Sequence, residues 1–405
     1  MTTKAVKDWR GFVKNAVASV RDVLGVNGRF YRYGIDDDLP NRIVEAVNDS
    51  GTARAAVMRK HQFIVGHGLP VESAGIKVNE SETLEQLVDG IGLMAAYLEG
   101  FVLQVLYNNM GEIGEIHSIP LQTVRRRYEG GFLYDPAYGQ EEFSLYRNGR
   151  NNAAKVPEFG TTKTAEQRRQ LVASQIEKYG QQLGEFLYVF TPGVGPFYDK
   201  YAIPSYFSGI DDIRADASLS RLELRNISNG FNTGVIISTG PIDDTTQDVN
   251  GKTAYTRFKE DMESFVGEDA AAIMHIMSAT DGDKATVSRM DVDKLMDATE
   301  NSTERLAKKI CRHMGVPPVL IGIETAGKLG NSQELVNMMK LFDLTLSRER
   351  LKIENALKLL LPELADKIKI EPLRLFTDLP PEVMATMAPN EIRDLYDLPP
   401  IEPQA

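Results

Sequence analysis

The segment "GIETAGKLGNS", residues 322–332, has nearly the spacing of a phosphate-binding loop. Its first two glycines and Lys328 match the pattern G-x-x-x-x-G-K-[ST], in which backbone N–H groups and the lysine hold phosphates. The next position needs a hydroxyl group that binds Mg²⁺, and here it is Leu329. The stretch just upstream contains Pro317-Pro318, and prolines cannot donate hydrogen bonds in a central strand. We therefore predict no nucleotide site, and the segment needs another explanation.

Other residue types that carry chemistry are scattered along the chain. The five histidines are His61, His67, His117, His275 and His313. They never pair at metal-ligand spacing, and neither H-E-x-x-H nor G-x-S-x-G occurs. We expect the first two to flank a helix end in solvated or capping roles, and the acidic pairs in loops to be solvated. The sequence thus predicts no catalytic site, no metal, no cofactor and no enzymatic activity.

Composition narrows the function classes further. The 405 residues carry a formal net charge of −11, which argues against gripping nucleic acid over a large surface, because that needs dense Lys and Arg. It leaves open a protein that lets nucleic acid slide past. The single cysteine, Cys311, excludes an intrachain disulfide and suggests folding in a reducing cytosol. No stretch approaches the roughly 20 apolar residues of a membrane span.

The first half of the chain reads as an α+β domain. Two helices are predicted over 38–66 and a third over 82–99, followed by short strands rich in β-branched and aromatic residues. The run Arg125-Arg126-Arg127 lies in one of these strands, where only two of the three can share a face. It suits a solvated strand or salt bridges between subunits, with phosphate contact as the alternative. Residues 147–182 are polar and are predicted to form a surface segment.

Three helices in the second half have strong apolar periodicity. The first starts at residue 210, with a stripe at alternating spacings of three and four and a charged reverse face that includes Asp216. Its stripe comprises Ile210, Ile213, Ala217, Ser220, Leu224, Ile227 and Phe231. The second helix runs from about 293 to 314. The third starts at Asn331 or Ser332 and spans about 30 residues, roughly 45 Å.

This order of elements resembles the portal proteins of tailed bacteriophages, in the branch with short chains that includes HK97-like phages. The resemblance covers roughly residues 36–395. It rests on the stretches "YAIPSYFSGI", "NGFNTGVII", "KKICRHMGVPPVLIGIETAGKLGNSQE" and "APNEIRDLYDLPP". The third is the most specific, because it joins a helix, G-V-P-P, a loop and Ser-x-Glu at the start of a long helix.

The resemblance implies an α+β, portal-type, ring-forming fold with named parts. They are an N-terminal arm (1–35), an α+β wing (36–208), a stem helix (209–231), a small α/β clip insertion (232–292), a second stem helix and turn (293–321), a tunnel loop (322–332), a long helix with a return to the wing (333–374) and a short C-terminal crown (375–405).

The function implied is that of a dodecameric ring at one capsid vertex, through which double-stranded DNA is packaged and ejected. The implied partners are further copies of the chain, the terminase large subunit, head-tail connector or neck proteins, the major capsid protein, and DNA bound without sequence specificity. The implied location is the virion, with the host cytoplasm during assembly and no membrane contact. The alternatives are a capsid-associated neck or scaffolding protein without a channel, and a nucleotide-dependent translocase subunit.

Two sets of residues become candidate sites by this resemblance. In the tunnel loop, the residues expected to face the DNA channel are Glu324, Thr325, Lys328, Leu329 and Asn331. In the clip, the residues expected to meet a partner are Asp243, Asp244, Glu260, Asp261 and Glu263. Residues 241–291 contain eleven acidic and five basic side chains, and this surplus repels DNA and can steer a basic partner.

Overall fold

The fold combines helices with small antiparallel sheets, so the predicted α+β class is confirmed. The computed structural model describes residues 30–34, 37–136, 153–193, 199–228, 236–238, 252–253, 256, 286–288, 292–323, 332–373, 386–395 and 401. The chain divides into two compact units. Unit 1 contains residues 1–210 and 310–405, and unit 2 contains residues 211–309.

Unit 1 begins with the predicted helices. Their bounds are α1 Leu39–Asp49, α2 Gly51–Val65, the short α3 Val71–Ala74 and α4 Leu84–Leu98. Ser50 separates α1 from α2 because its side chain accepts a hydrogen bond from Ala53 N–H at 3.1 Å, which caps α2. Thr83 and Gln86 form a capping box at the start of α4. The apolar faces of α1, α2 and α4 are buried.

Two three-stranded antiparallel sheets follow. The first places β1 Gly100–Tyr107 between β2 Ile113–Ile119 and β6 Glu185–Phe190. The second contains β3 Val124–Arg126, β4 Phe132–Tyr134 and β5 Ala154–Val156. Phe101, Val102 and Leu103 are all buried although successive side chains point to opposite faces, so β1 is covered on both sides.

The polar stretch 147–182 has more regular structure than predicted. Its described part contains β5 and the helix α5 Ala165–Tyr179. Thr164 and Gln167 form a capping box at the start of α5. Because Gln175 is the buried residue of α5, this helix has no apolar stripe from which it could be recognised. The helix is largely exposed, in agreement with the predicted surface location, and the sequence analysis did not identify it.

The arginine run differs from both alternatives considered above. Arg125 is buried and pairs with Asp37 within the same chain, with 2.6 Å between Nε and Oδ1. Arg126 contacts Glu158, and Arg127 contacts Glu129. The Arg125 side chain therefore points into the interior of unit 1. The prediction of a solvated, intersubunit or phosphate-binding role was wrong for this residue.

The long predicted helix is confirmed as α8 Ser332–Leu360. It packs on α2, with the rings of Phe342 and Phe63 4.8 Å apart. Its buried apolar residues are Phe342, Leu346, Ile353, Ala356, Leu357 and Leu360. Beyond α8, Glu371 pairs with Gly68, so the chain returns to the end of α2. A short helix, α9 Pro389–Leu395, lies near the C-terminus.

Unit 2 is built on two antiparallel helices, α6 Ile210–Ser228 and α7 Val292–Met314. Lys309 Nζ lies 3.1 Å from Asp212 Oδ1, and Thr303 donates to Glu223 at 3.3 Å, a pairing that fixes the antiparallel sense. β7 Ile236–Ser238 and β8 Thr286–Ser288 pair as a two-stranded antiparallel sheet.

The predicted stripe of α6 is only partly correct. Ile213 and Ala217 are buried as expected, but Leu224 is 64% exposed. Asp216, predicted on the solvent face, is buried. It lies three residues after Ile213, and residues three and four apart share one helix face, so the buried face includes this carboxylate.

Candidate functional site

Both sets of predicted site residues lie outside the described part of the chain. This applies to Glu324, Thr325, Lys328, Leu329 and Asn331 of the tunnel loop. It applies equally to Asp243, Asp244, Glu260, Asp261 and Glu263 of the clip. Their assignments stay predictions. The described residues do show how the chain enters segment 322–332 and how it leaves it.

The entry to the segment is a helical turn. Helix α7 ends at Met314, and Gly315 has a φ of 68°, which lets the backbone reverse while Val316 N–H bonds to Cys311 O at 2.9 Å. Residues Pro318–Ile321 then form a 3-10 helix. A phosphate-binding loop follows a strand and opens a helix at its lysine, whereas α8 begins at Ser332, after the lysine at 328. This geometry agrees with the rejection of a nucleotide site.

Helix α2 contacts this turn directly. Arg59 Nε donates to Leu320 O at 2.8 Å, and Arg59 Nη1 donates to Gln62 Oε1 at 2.8 Å. No local sequence pattern indicates a role for Arg59, because its partner Leu320 lies 261 residues further along the chain.

Helix α2 also contacts the helix that follows the segment. Arg350 on α8 is buried and donates to Phe63 O at 2.7 Å, near the C-terminal end of α2. Its guanidinium also bonds to both carboxylate oxygens of Asp343, at 2.7 and 2.9 Å. An arginine at a helix C-terminus satisfies a free carbonyl and suits the helix dipole. Helix α8 is therefore fixed to α2 by the packing of Phe342 on Phe63 and by the hydrogen bond from Arg350 to Phe63 O, while Asp343 holds the Arg350 guanidinium in place.

A second apolar face of α8 is exposed. Leu341 and Leu344 are 64% and 65% exposed, and Leu351 and Leu359 are 53% and 45% exposed. These four positions follow one another at helical spacings, so they share one side of the helix. The same side carries the exposed Arg348. The predicted stripe emphasised the buried face, but this second stripe was also visible in the sequence at spacings of three and seven.

Several buried titratable groups of unit 1 have pKa values that lie further from neutral pH than usual. Burial raises the pKa of the Cys311 thiol to about 11 and the pKa of Tyr188 to about 12. Burial, followed by the hydrogen bond to Glu185, raises the pKa of Tyr107. These groups therefore stay neutral under physiological conditions, and the structure uses them for packing and hydrogen bonding.

The histidines do not form a shared centre where they are described. His61 and His67 lie on either side of the end of α2 at Val65, as predicted, but the His61 side chain is only 15% exposed and its Nε2 is 3.1 Å from Asp89 Oδ1, so a solvated role for His61 was wrong. His117 Nε2 contacts Glu115 at 2.8 Å. Within the described ranges, no group of three or more metal-ligating side chains comes together. In the same ranges, no helix is long and apolar enough to cross a membrane.

Comparison of the sequence with protein-family models and with curated proteins finds no match. Solved structures do match. A chain in the structure "Virion of native gene transfer agent (GTA) particle" aligns with a TM-score of 0.51 and 14% identity, covering 96% of this chain and 100% of that one. A chain in "Neck of empty GTA particle computed with C6 symmetry" gives a TM-score of 0.50 with the same identity and coverage.

A HK97 family phage portal protein from Corynebacterium diphtheriae is also similar, with a TM-score of 0.41 and 10% identity. The alignment covers 80% of this chain and 90% of that one. At 14% identity, the similarity to the GTA chain shows a shared fold and nothing beyond the fold.

Proposed function

We propose that this chain is a portal protein, whose copies form a ring at one vertex of a tailed bacteriophage or a related particle. Double-stranded DNA would pass through the ring during packaging and ejection. The observation that carries the proposal is the fold shared along 96% of this chain with a whole chain of the GTA virion and neck. That neck was computed with C6 symmetry, which supports a cyclic arrangement. A ring of twelve copies is our more specific proposal.

The exposed leucines of α8 are evidence for ring assembly, because they form an apolar surface that a second copy of the chain can cover. Full burial of one leucine side chain contributes about 1.5–3 kcal/mol, and four such side chains lie on one face. Contact between different faces of neighbouring copies closes into a ring when the rotation between copies allows it. We propose that this leucine face contacts the next copy.

We divide each subunit of the proposed ring at the boundaries that the family resemblance implies. We assign residues 36–208 to a wing, and we assign α6, α7 and the intervening residues to a stem and clip. The clip residues Asp243, Asp244, Glu260, Asp261 and Glu263 would meet the terminase large subunit and later the neck proteins. Segment 322–332 would line the channel with Glu324, Thr325, Lys328, Leu329 and Asn331. A net charge of −11 favours passage of DNA without capture.

The test is a substitution on the leucine face. Leu344→Glu combined with Leu351→Glu places charge where the neighbouring copy would bury it, so we expect a shift from a large ring to small species in light scattering. The wild-type protein should show a closed ring with a central hole in negative-stain images. Ile176→Glu, which alters a 50% exposed apolar residue on α5, is the matched control and should leave the ring intact.

Two results would contradict the proposal in different ways. A monodisperse wild-type monomer at physiological salt would exclude ring formation. A large wild-type assembly without a central hole would instead favour a neck or scaffolding protein that has no channel.

A further inference from the structure

Helix α2 contacts the chain on both sides of segment 322–332. Before the segment, Arg59 donates to Leu320 O. After it, Phe63 packs against Phe342 and accepts a hydrogen bond from Arg350. Arg59 and Phe63 are four residues apart, so they lie on the same face of α2, one helical turn from each other. The stretches before and after segment 322–332 therefore contact α2 at neighbouring positions.

The two attachments differ in strength. On the α8 side, Arg350 and Phe342 are buried, and Arg350 also pairs with Asp343. On the other side, Arg59 is exposed and bonds only to neutral oxygens, those of Leu320 and Gln62. Within the described ranges, no carboxylate lies within 4.0 Å of Arg59. An exposed hydrogen bond to a carbonyl exchanges readily with water, whereas a buried ion pair with several bonds does not.

We propose that Arg59 is a positioning residue: it is the releasable attachment that holds the turn Pro318–Ile321 on α2, and Phe63 is the permanent one. Helix α2 thereby sets the point from which the chain enters segment 322–332. While Arg59 holds the turn, a displacement of α2 also moves the turn, and with it the start of segment 322–332. When the hydrogen bond from Arg59 to Leu320 O breaks, the turn no longer follows α2 through this contact. A role of this contact in DNA passage rests on the proposed function. The hydrogen bond between Arg59 and Leu320 does not depend on that proposal.

Hydrogen exchange of the turn measures the attachment. The internal hydrogen bonds of the turn include those from Leu320 N–H to Pro317 O, from Gly322 N–H to Val319 O, and from Ile323 N–H to Pro318 O. Without the guanidinium on the Leu320 carbonyl, the turn opens more often. We expect Arg59→Met to raise amide exchange at 320–323 by roughly five- to tenfold, the ratio that corresponds to the net free energy of one hydrogen bond.

The control amides and variants isolate this effect. The amide of Val316, bonded to Cys311 O, and the amide of Gly66, bonded to Gln62 O, should keep their wild-type exchange. Arg59→Lys can still donate to the carbonyl and should restore part of the protection. Arg54→Met removes the same charge from an exposed position of α2 and should change nothing in the turn.

Unchanged exchange at 320–323 in Arg59→Met would overturn the inference. So would a rise that extends equally to the Gly66 and Val316 amides, because Arg59 would then stabilise α2 as a whole. Negative-stain images of the same full-length samples report on the ring independently. Loss of a ring in the wild-type sample would contradict the proposed function without altering the reading of the exchange data.

Discussion

Arg125 and Asp37 form an ion pair in which both side chains are only 1% exposed. Arg125 also donates to the backbone carbonyls of Asp37 and Gln122, at 2.6 and 2.7 Å. Asp37 accepts from Tyr33 N–H at 2.6 Å and holds a positive φ of 59°. This pair therefore fastens the chain before α1 to β3, and each charge depends on the other for its solvation inside unit 1.

Removing one partner should destabilise the protein strongly. Arg125→Met removes the guanidinium that pairs with the buried Asp37 carboxylate, and we expect a loss of about 3–5 kcal/mol in the free energy of unfolding. Asp37→Asn should cost a similar amount, and the double variant should cost less than the sum. Urea unfolding measures each value. Arg127→Met is the matched control, because its partner Glu129 is exposed and such pairs contribute under about 1 kcal/mol.

Equal losses from Arg125→Met and Arg127→Met would contradict this reading of the pair. The difference between the two arginines could not be predicted from the run of three. Alternation along a strand would place Arg125 and Arg127 on the same face, but β3 ends at Arg126, so Arg127 lies beyond the strand. The partner that makes burial of Arg125 possible is 88 residues away, and no local pattern connects the two.

Helices whose apolar residues recur at helical spacing were predicted nearly to their ends. The bounds of α7 and α8 agree with the expected ones to within a residue or two, since Gly315 follows α7 and Pro362 lies just beyond α8. Helix α5 was missed because its buried residue is Gln175, whose side chain bonds to the backbone of Leu183 and Gly184. A helix fixed by polar contacts has no stripe to recognise.

The element with the most specific functional proposal is the segment between α7 and α8. Replacing residues 324–329 with a short Gly/Ser linker spares the turn at Pro318–Ile321 and the start of α8 at Ser332, so folding and ring formation should survive. Genome packaging or retention should fail, because the proposed channel would lose its lining. A complementation assay that counts particles and measures their DNA content tests this.

Lys328→Glu serves as a milder variant of the same experiment. One added repulsion per subunit in a wet channel is screened over about 10 Å, so the effect should be smaller than that of the linker. Full-length DNA in normal yield from the linker variant would show that segment 322–332 does not face the channel.

The chain leaves and re-enters unit 1 at neighbouring points. A Cβ on Gly209 would lie 2.4 Å from the ring of His313, so the start of α6 and the end of α7 are in close contact and Gly209 leaves the room they need. No linker or change in composition marks the division into units in the sequence. A long insertion between adjacent points can be shortened without pulling the rest of the fold apart.

We predict that residues 226–300 can be replaced by a Gly/Ser turn of about four residues. Glu223 and Thr303 are hydrogen-bonded and α6 and α7 are antiparallel, so a helical hairpin can close at that level. Thermal unfolding of unit 1 should stay within about 4 °C of wild type. Rings should still form through α8, while binding of the terminase large subunit or neck protein should be lost.

Reversing charge at Asp243, Asp244, Glu260 and Asp261 is the milder control: it should weaken that binding in a salt-dependent way and leave the ring intact. A shortened protein that folds but remains monomeric would show that residues 226–300, rather than the leucine face of α8, hold the ring together.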